Sequence, residues 1–247
     1  MFDFYKEIRL NNNSKIKNSF KKLSNLYKSI PETKGCLENI SKDLGCGGWC
    51  CQFQCPQLLY SEFLYLYDYL SQKLSNEDFL EILRKGMINS VDSNVTKGCI
   101  FFDINTKLCK CHDVRPYNCH IYGITPFEEF NPRYERLKEK YKYTLGAIIK
   151  QQCDLVSTVS GKKVTTKDTN RWWNRLKNIE KSIGIKEELI TDEIGGSYRT
   201  PHDHLILYLM PDNVIMSLNG IRMYDNHNDK IRMVDSLINS IREIYGQ

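Results

Sequence analysis

Eight of the ten cysteines in this 247-residue chain fall in two short stretches. The first stretch, residues 46–55, contributes Cys46, Cys50, Cys51 and Cys55. The second stretch, residues 99–119, contributes Cys99, Cys109, Cys111 and Cys119. Thiolates at such short spacings converge on one point when a metal ion, an iron–sulfur cluster or a set of disulfides holds them together. The chemistry that these residues indicate is therefore metal binding or redox chemistry.

Disulfides are the least favoured of these three interpretations. A chain of this length buries a hydrophobic core without covalent crosslinks. Residues 1–7 lack the basic and apolar segments of a secretory signal, and no apolar run approaches the roughly 18 residues of a membrane-spanning helix. We therefore expect a cytoplasmic protein, in which clustered thiols stay reduced and available to a metal.

The net charge of +5 is mild and gives no support for a nucleic-acid partner. The most basic stretch, residues 15–22, has the pattern of a solvated helix face. The chain has no basic motif interleaved with aromatic residues and no zinc-finger pair of histidines. The partner we expect is a metal ion or cluster, with a protein substrate left open and no membrane. The oligomeric state is not indicated.

The glycines around the first stretch, Gly45, Gly47 and Gly48, predict a loop that wraps closely around a bound centre. Helices on either side must bring the two stretches together. Apolar periodicity predicts helices over 14–30, 57–72, 133–152 and 170–183, and one at the C-terminus with a stripe from Ile231 to Ile244. A capping box at Ser75 and Asp78 predicts a further helix that reaches about Met87.

Short β elements are predicted between these helices. A strand is expected over 99–102, and a turn or hairpin over 155–169. The apolar runs His204–Met210 and Val214–Leu218 are separated by Pro211-Asp212-Asn213, which predicts a β-hairpin. The fold class expected is mainly α with small β elements (α+β), with a cysteine-rich metal-binding core built from loops between helices. The expected parts are an N-terminal helical segment (1–34), a metal-binding domain (35–153) and a C-terminal α+β extension (154–247).

Residue identity in the second stretch adds to what spacing indicates. The segments Gly98-Cys99-Ile100-Phe101-Phe102-Asp103 and Arg115-Pro116-Tyr117-Asn118-Cys119, with Cys109 between them, resemble the signature of the YkgJ-type cysteine-cluster family. Members of that family are described as zinc- or iron-chelating domains of the CxxCxxCC type, and they include flagellin lysine N-methylases. The pair Cys50-Cys51 after Cys46-Gly47 is similar to the family's C-G-x-C-C element.

This resemblance, taken position by position, implies a set of metal ligands. They are Cys50, Cys51, Cys99, Cys109 and Cys119, with Cys46 slightly displaced. Cys55 and Cys111 belong to the same two stretches and complete the expected thiolate set, although Cys111 and His112 stand where the family usually has Ile and Tyr. Some relatives carry a later cysteine, which implies a remote ligand at Cys153, with a buried non-ligand thiol as the alternative. His112 and His120 are weaker alternatives that are more often merely exposed.

Arg115 has an electrostatic reason to lie beside the expected centre. Four thiolates around zinc or a typical cluster leave net negative charge, and a guanidinium offsets that charge and donates hydrogen bonds to sulfur. The surplus of thiols over one zinc site, and the near absence of histidine, favour an iron–sulfur cluster over Zn²⁺. The radical-enzyme spacing CxxxCxxC is not met, because Phe53 and Leu58 stand where its third cysteine would be.

Two classes of function remain open. The first is a metal-binding protein that holds an iron–sulfur or zinc centre in a bipartite, all-thiolate site. The second is a cluster-dependent enzyme that modifies a protein or small molecule, such as a lysine N-methylase-like transferase, for which only the family implies S-adenosylmethionine. No glycine-rich dinucleotide motif is present and no catalytic residue is identified. The trio His202-Asp203-His204 is capable of metal binding or acid–base chemistry, but a surface position is favoured for it.

Overall fold

The computed structural model describes residues 14–34, 51–52, 55–92, 98–126, 128–129, 157–193 and 195–245. The cysteines in these ranges are Cys51, Cys55, Cys99, Cys109, Cys111 and Cys119. The expected ligands Cys46, Cys50 and Cys153 and the helix predicted over 133–152 lie outside the described residues. The three-part division of the chain stays a prediction, since its boundaries at 34/35 and 153/154 fall beside or inside the segments that are not described.

The described residues form a mainly α fold with small β elements, as the sequence predicts. The helices are α1 (Ser14–Lys28), α2 (Tyr60–Lys73), α3 (Asn76–Val91), α4 (Tyr117–Ile121), α5 (Thr166–Ser182), α6 (Pro201–Leu209), α7 (Asp212–Arg222) and α8 (His227–Tyr245). The strands are β1 (Thr33–Lys34), β2 (Phe102–Asp103), β3 (Leu108–Cys109) and β4 (Ser157–Thr158). Single 3-10 turns occur at His112–Val114 and Glu187–Leu189.

Helix α3 begins where its predicted capping residue places it. The Ser75 hydroxyl accepts a hydrogen bond from the Asp78 amide at 3.1 Å, which satisfies one of the unpaired amides of the first turn. The helix runs beyond the expected end at Met87 and finishes at Val91. The helices predicted over 14–30, 57–72 and 170–183 and at the C-terminus are also confirmed.

The predicted hairpin over 204–218 is wrong, because both apolar runs are helical. Thr200 caps α6 by accepting from the Asp203 amide, and Pro201 occupies its first turn. Pro211 is the cap of α7, with Asp212 in the first turn. Proline and acidic residues begin helices as readily as they make turns. In the first turn of a helix the backbone amides have no intrahelical acceptor, so the missing N–H of proline costs nothing, and the partial positive charge of that end favours acidic side chains.

The strand predicted over 99–102 is displaced along the chain. The strand is Phe102–Asp103, and it pairs antiparallel with β3, with Phe102 opposite Cys109. The Asp103 carboxylate accepts from the Asn105 amide at 2.8 Å, an Asx turn that reverses the chain. In the segment 155–169 a turn follows β4, but β4 pairs with β1 and not with the chain after the turn.

Helix α2 and the residue before it, Leu59, pack against two separate hydrophobic clusters. One cluster packs α2 against α3, α6, α7 and α8 and includes Phe63 and Leu66. The other packs Leu59, just before α2, with α1 and with Trp172 of α5. None of the helices in the described part of the chain is both long and apolar enough to cross a bilayer.

Candidate metal centre

The two cysteine stretches meet through their backbones. The Cys99 amide donates to the Cys51 carbonyl oxygen at 2.6 Å. Gly98 permits this approach, because a Cβ at that position would lie 2.5 Å from the Gln52 carbonyl oxygen. From the other side, the Asn89 side chain of α3 donates to the Gly98 carbonyl at 3.0 Å. The structure therefore brings Cys51 of the first stretch beside Cys99 of the second.

The β2–β3 hairpin presents Cys109 and Cys111 together. Their sulfur atoms are 3.5 Å apart, and neither cysteine is in a disulfide. The Lys110 amide donates to the Phe101 carbonyl at 2.9 Å, and the Lys110 ammonium forms an ion pair with Asp78 at the start of α3. These contacts fix the hairpin against α3, with its thiols adjacent to each other.

Cys119 is positioned by the residues that precede it. Pro116 caps α4, and the Tyr117 amide donates to the Glu62 carboxylate at 2.7 Å. The Asn118 side chain donates to the Gln57 carbonyl at 2.6 Å and to the Tyr198 hydroxyl. The Pro-Tyr-Asn sequence before Cys119 thus ties α4 both to α2 and to the segment that follows Cys55.

Glu62 is a buried carboxylate that sequence reasoning missed. It is 2% exposed and accepts hydrogen bonds from the Leu59 amide at 3.0 Å and the Tyr27 hydroxyl at 2.7 Å, besides the Tyr117 amide. Burial raises the pKa of Glu62 to about 7, against the lowering effect of these donors. The signal available in the sequence was an acidic residue between apolar ones in the run 57–72, but Asp68 shares that signal without being buried.

Cys55 faces a histidine from the C-terminal part of the chain. The Cys55 sulfur lies 3.7 Å from Nδ1 of His202, which is 2% exposed. The surface position favoured for the His202-Asp203-His204 trio is therefore wrong for both histidines, because His204 is fully buried as well. The segment after Cys55 is held in place by Leu58, whose amide and carbonyl both bond to the backbone of Arg199, at 2.8 and 3.1 Å.

His204 has a different environment from His202. Its Nε2 lies 3.0 Å from the Leu58 carbonyl oxygen, so Nε2 carries the proton and donates. Burial lowers the pKa of His204 to about 4, which keeps the ring neutral. This histidine therefore supports the Leu58 backbone and is not directed at a thiol.

The thiols form one electrostatic neighbourhood. A hydrogen bond with Cys99 lowers the pKa of Cys55 to about 6, and a further bond to His202 acts in the same direction. The pKa of Cys99 is raised by that bond, by burial and by the charges of Cys55, Cys109 and Cys51. The pKa of Cys111 is raised by its bond with Cys109, by burial and by the charges of Cys109, Cys119 and Cys51. Packed thiolates of this kind are neutralised by protons or by a metal cation.

Arg115 lies between the two histidines of the second stretch. Its Nη1 donates to His112 Nε2 at 2.8 Å, and its Nε donates to His120 Nδ1 at 3.4 Å. The His120 ring stacks on Tyr27 with centroids 4.6 Å apart, and burial together with the Arg115 charge lowers the pKa of His120 to about 3. A neutral imidazole has one nitrogen lone pair, and in both rings Arg115 occupies it. This arrangement disfavours His112 and His120 as metal ligands.

The donor set suits zinc or iron. Within the ranges given above, no three Cys, His, Asp or Glu side chains form a metal site by themselves. Three of the expected ligands, Cys46, Cys50 and Cys153, lie outside those ranges. The described thiols are soft, anionic donors gathered by backbone contacts, which is the chemistry that zinc ions and iron–sulfur clusters select.

Comparison with known proteins agrees with this donor set. Residues 42–154 match the CxxCxxCC family model, described as a "putative zinc- or iron-chelating domain". The match contains both cysteine stretches and Cys153, but not His202. No curated protein and no solved structure shows significant similarity to the chain. The match over residues 42–154 confirms that both cysteine stretches are similar to the CxxCxxCC family of zinc- or iron-chelating domains.

Proposed function

We propose that this protein holds an iron–sulfur cluster or a zinc ion at a bipartite, thiolate-rich site, with the iron–sulfur cluster preferred. The observation that carries the proposal is the junction of the two cysteine stretches at Cys51 and Cys99, with their amide-to-carbonyl bond of 2.6 Å. The proposed ligands are drawn from Cys46, Cys50, Cys51, Cys55, Cys99, Cys109, Cys111, Cys119 and Cys153.

The number of gathered thiols supports a centre larger than one zinc ion. A closed structural zinc site uses four ligands. Six cysteines already lie in the described ranges, none in a disulfide, and their charges influence one another. An iron–sulfur cluster would supply one-electron redox chemistry at this position, whereas zinc would crosslink the two stretches.

The protein's own residues account for how the site is held. Asn89 and Gly98 fix the junction, Lys110 fixes the hairpin thiols, and Asn118 fixes Cys119. Each of these contacts uses backbone groups or side chains outside the thiol set. Hydrogen bonds and packing of these groups therefore contribute to the geometry of the site in addition to any metal.

We further propose that Arg115 offsets part of the negative charge of the loaded site. Its guanidinium is fixed by two imidazole acceptors, His112 and His120, at 2.8 and 3.4 Å. A cation held in this way needs little further ordering when the thiols release their protons on metal binding. Arg115 would then stabilise the loaded site by its positive charge and would not bind the metal itself.

The test is anaerobic purification followed by measurement of iron, sulfide and zinc per chain, with absorbance and Mössbauer spectra. We expect a brown protein with broad visible absorbance and iron matched by sulfide. Cys109→Ser and Cys119→Ser should each lose most of the metal, while Cys36→Ser, outside both stretches, should keep it. A colourless protein with stoichiometric zinc would overturn the iron–sulfur preference. Unchanged metal in the Cys109 and Cys119 variants would overturn the site itself.

A further inference from the structure

We propose that His202 supplies an imidazole ligand to a metal bound with Cys55, so that α6 completes the site from outside the matched domain. This inference rests on the function proposed above and changes its chemistry, from thiolate ligands alone to a mixed nitrogen–sulfur set. It also gives the C-terminal part of the chain a role in metal binding.

The separation of the two donor atoms is that of ligands sharing one ion. A tetrahedral zinc ion with bonds of about 2.3 Å to sulfur and about 2.0 Å to nitrogen places those two ligand atoms about 3.5 Å apart. The measured distance from Cys55 Sγ to His202 Nδ1 is 3.7 Å. An ion would therefore fit between these atoms with little movement of either side chain.

Burial makes His202 an unusual residue to leave without a polar role. Its side chain is 2% exposed and packs where α6 meets α3. A Cβ added at Gly86 of α3 would lie 3.2 Å from the His202 Cβ, so the two helices are in close contact there. Buried imidazoles need a partner for their ring nitrogens, and the partner that the described structure gives Nδ1 is the Cys55 sulfur.

A third donor adjoins this pair. The Cys99 thiol lies near enough to lower the pKa of Cys55, and the Cys99 backbone is joined to Cys51. Cys55, Cys99 and His202 come from three separate parts of the sequence. In the described residues these three side chains are not arranged as a complete metal site. The proposed ligand pair is therefore Cys55 and His202, with Cys99 as the neighbouring thiolate.

Hydrogen bonds within the chain fix the backbone around both proposed ligands. Leu58, three residues after Cys55, bonds through its amide and carbonyl to Arg199, three residues before His202. The Thr200 cap sets where α6 begins, two residues before the imidazole. Cys55 and His202 thus lie on the two chain segments that this antiparallel bridge joins. The bridge keeps them close together and preorganises them for a shared ion.

A nitrogen ligand would alter the properties of the centre. Replacing a thiolate by a neutral imidazole removes one negative charge from the site. In iron–sulfur centres this substitution raises the reduction potential, and in zinc sites it weakens the net negative field of the ligands. The loaded protein should therefore differ measurably from an all-thiolate centre.

The experiment uses Co²⁺ as the probe in the full-length protein, because its absorption reports ligand type. His202→Ala is expected to weaken Co²⁺ binding at least 10-fold and to change the ligand-field bands. His202→Cys should restore binding and add sulfur-to-cobalt charge-transfer intensity. Leu209→Ala, at a buried residue at the other end of α6, should leave the spectrum unchanged and so controls for loss of packing.

Three results would overturn the ligand role of His202. They are an unchanged spectrum and affinity in His202→Ala, an equal change in Leu209→Ala, or no gain of charge-transfer intensity in His202→Cys. If His202→Ala does not fold, by circular dichroism, His202→Cys still decides the question. Cys109→Ser is measured in parallel. Loss of metal there, with no effect at His202, refutes this inference alone, whereas no effect at either position refutes the proposed function too.

Discussion

The Cys99 amide donates to the Cys51 carbonyl oxygen at 2.6 Å, and this single backbone contact joins two cysteine stretches that are far apart in sequence. Metal sites built from separate loops often depend on the metal to bring the loops together. Here the backbone bond and the Asn89 contact at Gly98 also hold the two stretches together. The geometry of the site should therefore depend on these contacts as well as on the metal.

The first prediction concerns Gly98, where the two stretches touch. Gly98→Ala would place a Cβ 2.5 Å from the Gln52 carbonyl oxygen and 3.2 Å from that of Cys51, both of which are backbone atoms that cannot rotate away. We expect a loss of about 1–3 kcal/mol in the free energy of unfolding, as for other overpacked sites, and a clear fall in metal per chain. Thermal unfolding and elemental analysis measure the two effects.

A matched control for this substitution lies in α7. A Cβ added at Gly220 would meet no atom within 4 Å. Gly220→Ala should therefore keep the metal and stabilise the helix, by up to about 1 kcal/mol. The importance assigned to Gly98 would be refuted if Gly98→Ala matched Gly220→Ala in both measurements.

The second prediction concerns the pH dependence of stability at Glu62. Its folded-state pKa is about 7, above the ordinary value of 4.5, because burial penalises the carboxylate. The native protein therefore holds a proton that the unfolded chain has released, and the free energy of unfolding should fall as pH rises from about 4.5 to about 7. A shift of this size corresponds to something of the order of 3 kcal/mol.

Glu62→Gln isolates this contribution, because an amide stays neutral at every pH. The free energy of unfolding of both proteins is measured with urea at pH 5, 6, 7 and 8. As pH rises to 7, the free energy of unfolding of the wild type should fall relative to that of Glu62→Gln. Beyond pH 7 the difference should level off. If plots of the free energy of unfolding against pH stay parallel for the two proteins over the whole range, Glu62 titrates normally in the folded protein.

The third prediction concerns Asn118, next to Cys119. Asn118→Ala removes the hydrogen bonds that the Asn118 side chain donates to the Gln57 carbonyl and to the Tyr198 hydroxyl. The part-buried Gln57 carbonyl then loses this donor. The cost expected is about 1–3 kcal/mol, with reduced metal affinity because α4 loses its tie to the Cys55 side. Asn105→Ala, an exposed residue of the β2–β3 turn, serves as the control and should alter neither property.

Sequence reasoning predicted those parts of the fold in which apolar spacing alone decides the structure. Helix α1, with Leu23, Leu26 and Tyr27 on its buried face, is such a case. Helix α6 is not, because its apolar run is too short for spacing to separate helix from strand. The Thr200 cap and Pro201 were the stronger signals for that segment.

The same reasoning located the thiols, missed Glu62, and named His202 but wrongly expected it at the surface. Cysteine spacing is visible in the sequence, since the donors cluster in two stretches. Glu62 and His202 become significant only through partners 55 and 147 residues away, Tyr117 and Cys55. A buried acid or imidazole has no periodic pattern to indicate its burial. Such residues emerge only once tertiary contacts are known.

The last prediction tests whether the position of α6 matters for the metal and not merely for the fold. Thr200→Ala removes the cap of α6, and Thr165→Ala removes the cap of α5. Loss of either cap should cost about 1 kcal/mol, so the two variants should unfold at similar temperatures. Only α6 carries His202, and Thr200 lies next to the Leu58–Arg199 bridge that holds Cys55. We therefore expect Thr200→Ala alone to weaken Co²⁺ binding, by several-fold in a spectroscopic titration. Equal affinities in the two variants would show that the metal site does not depend on where α6 begins.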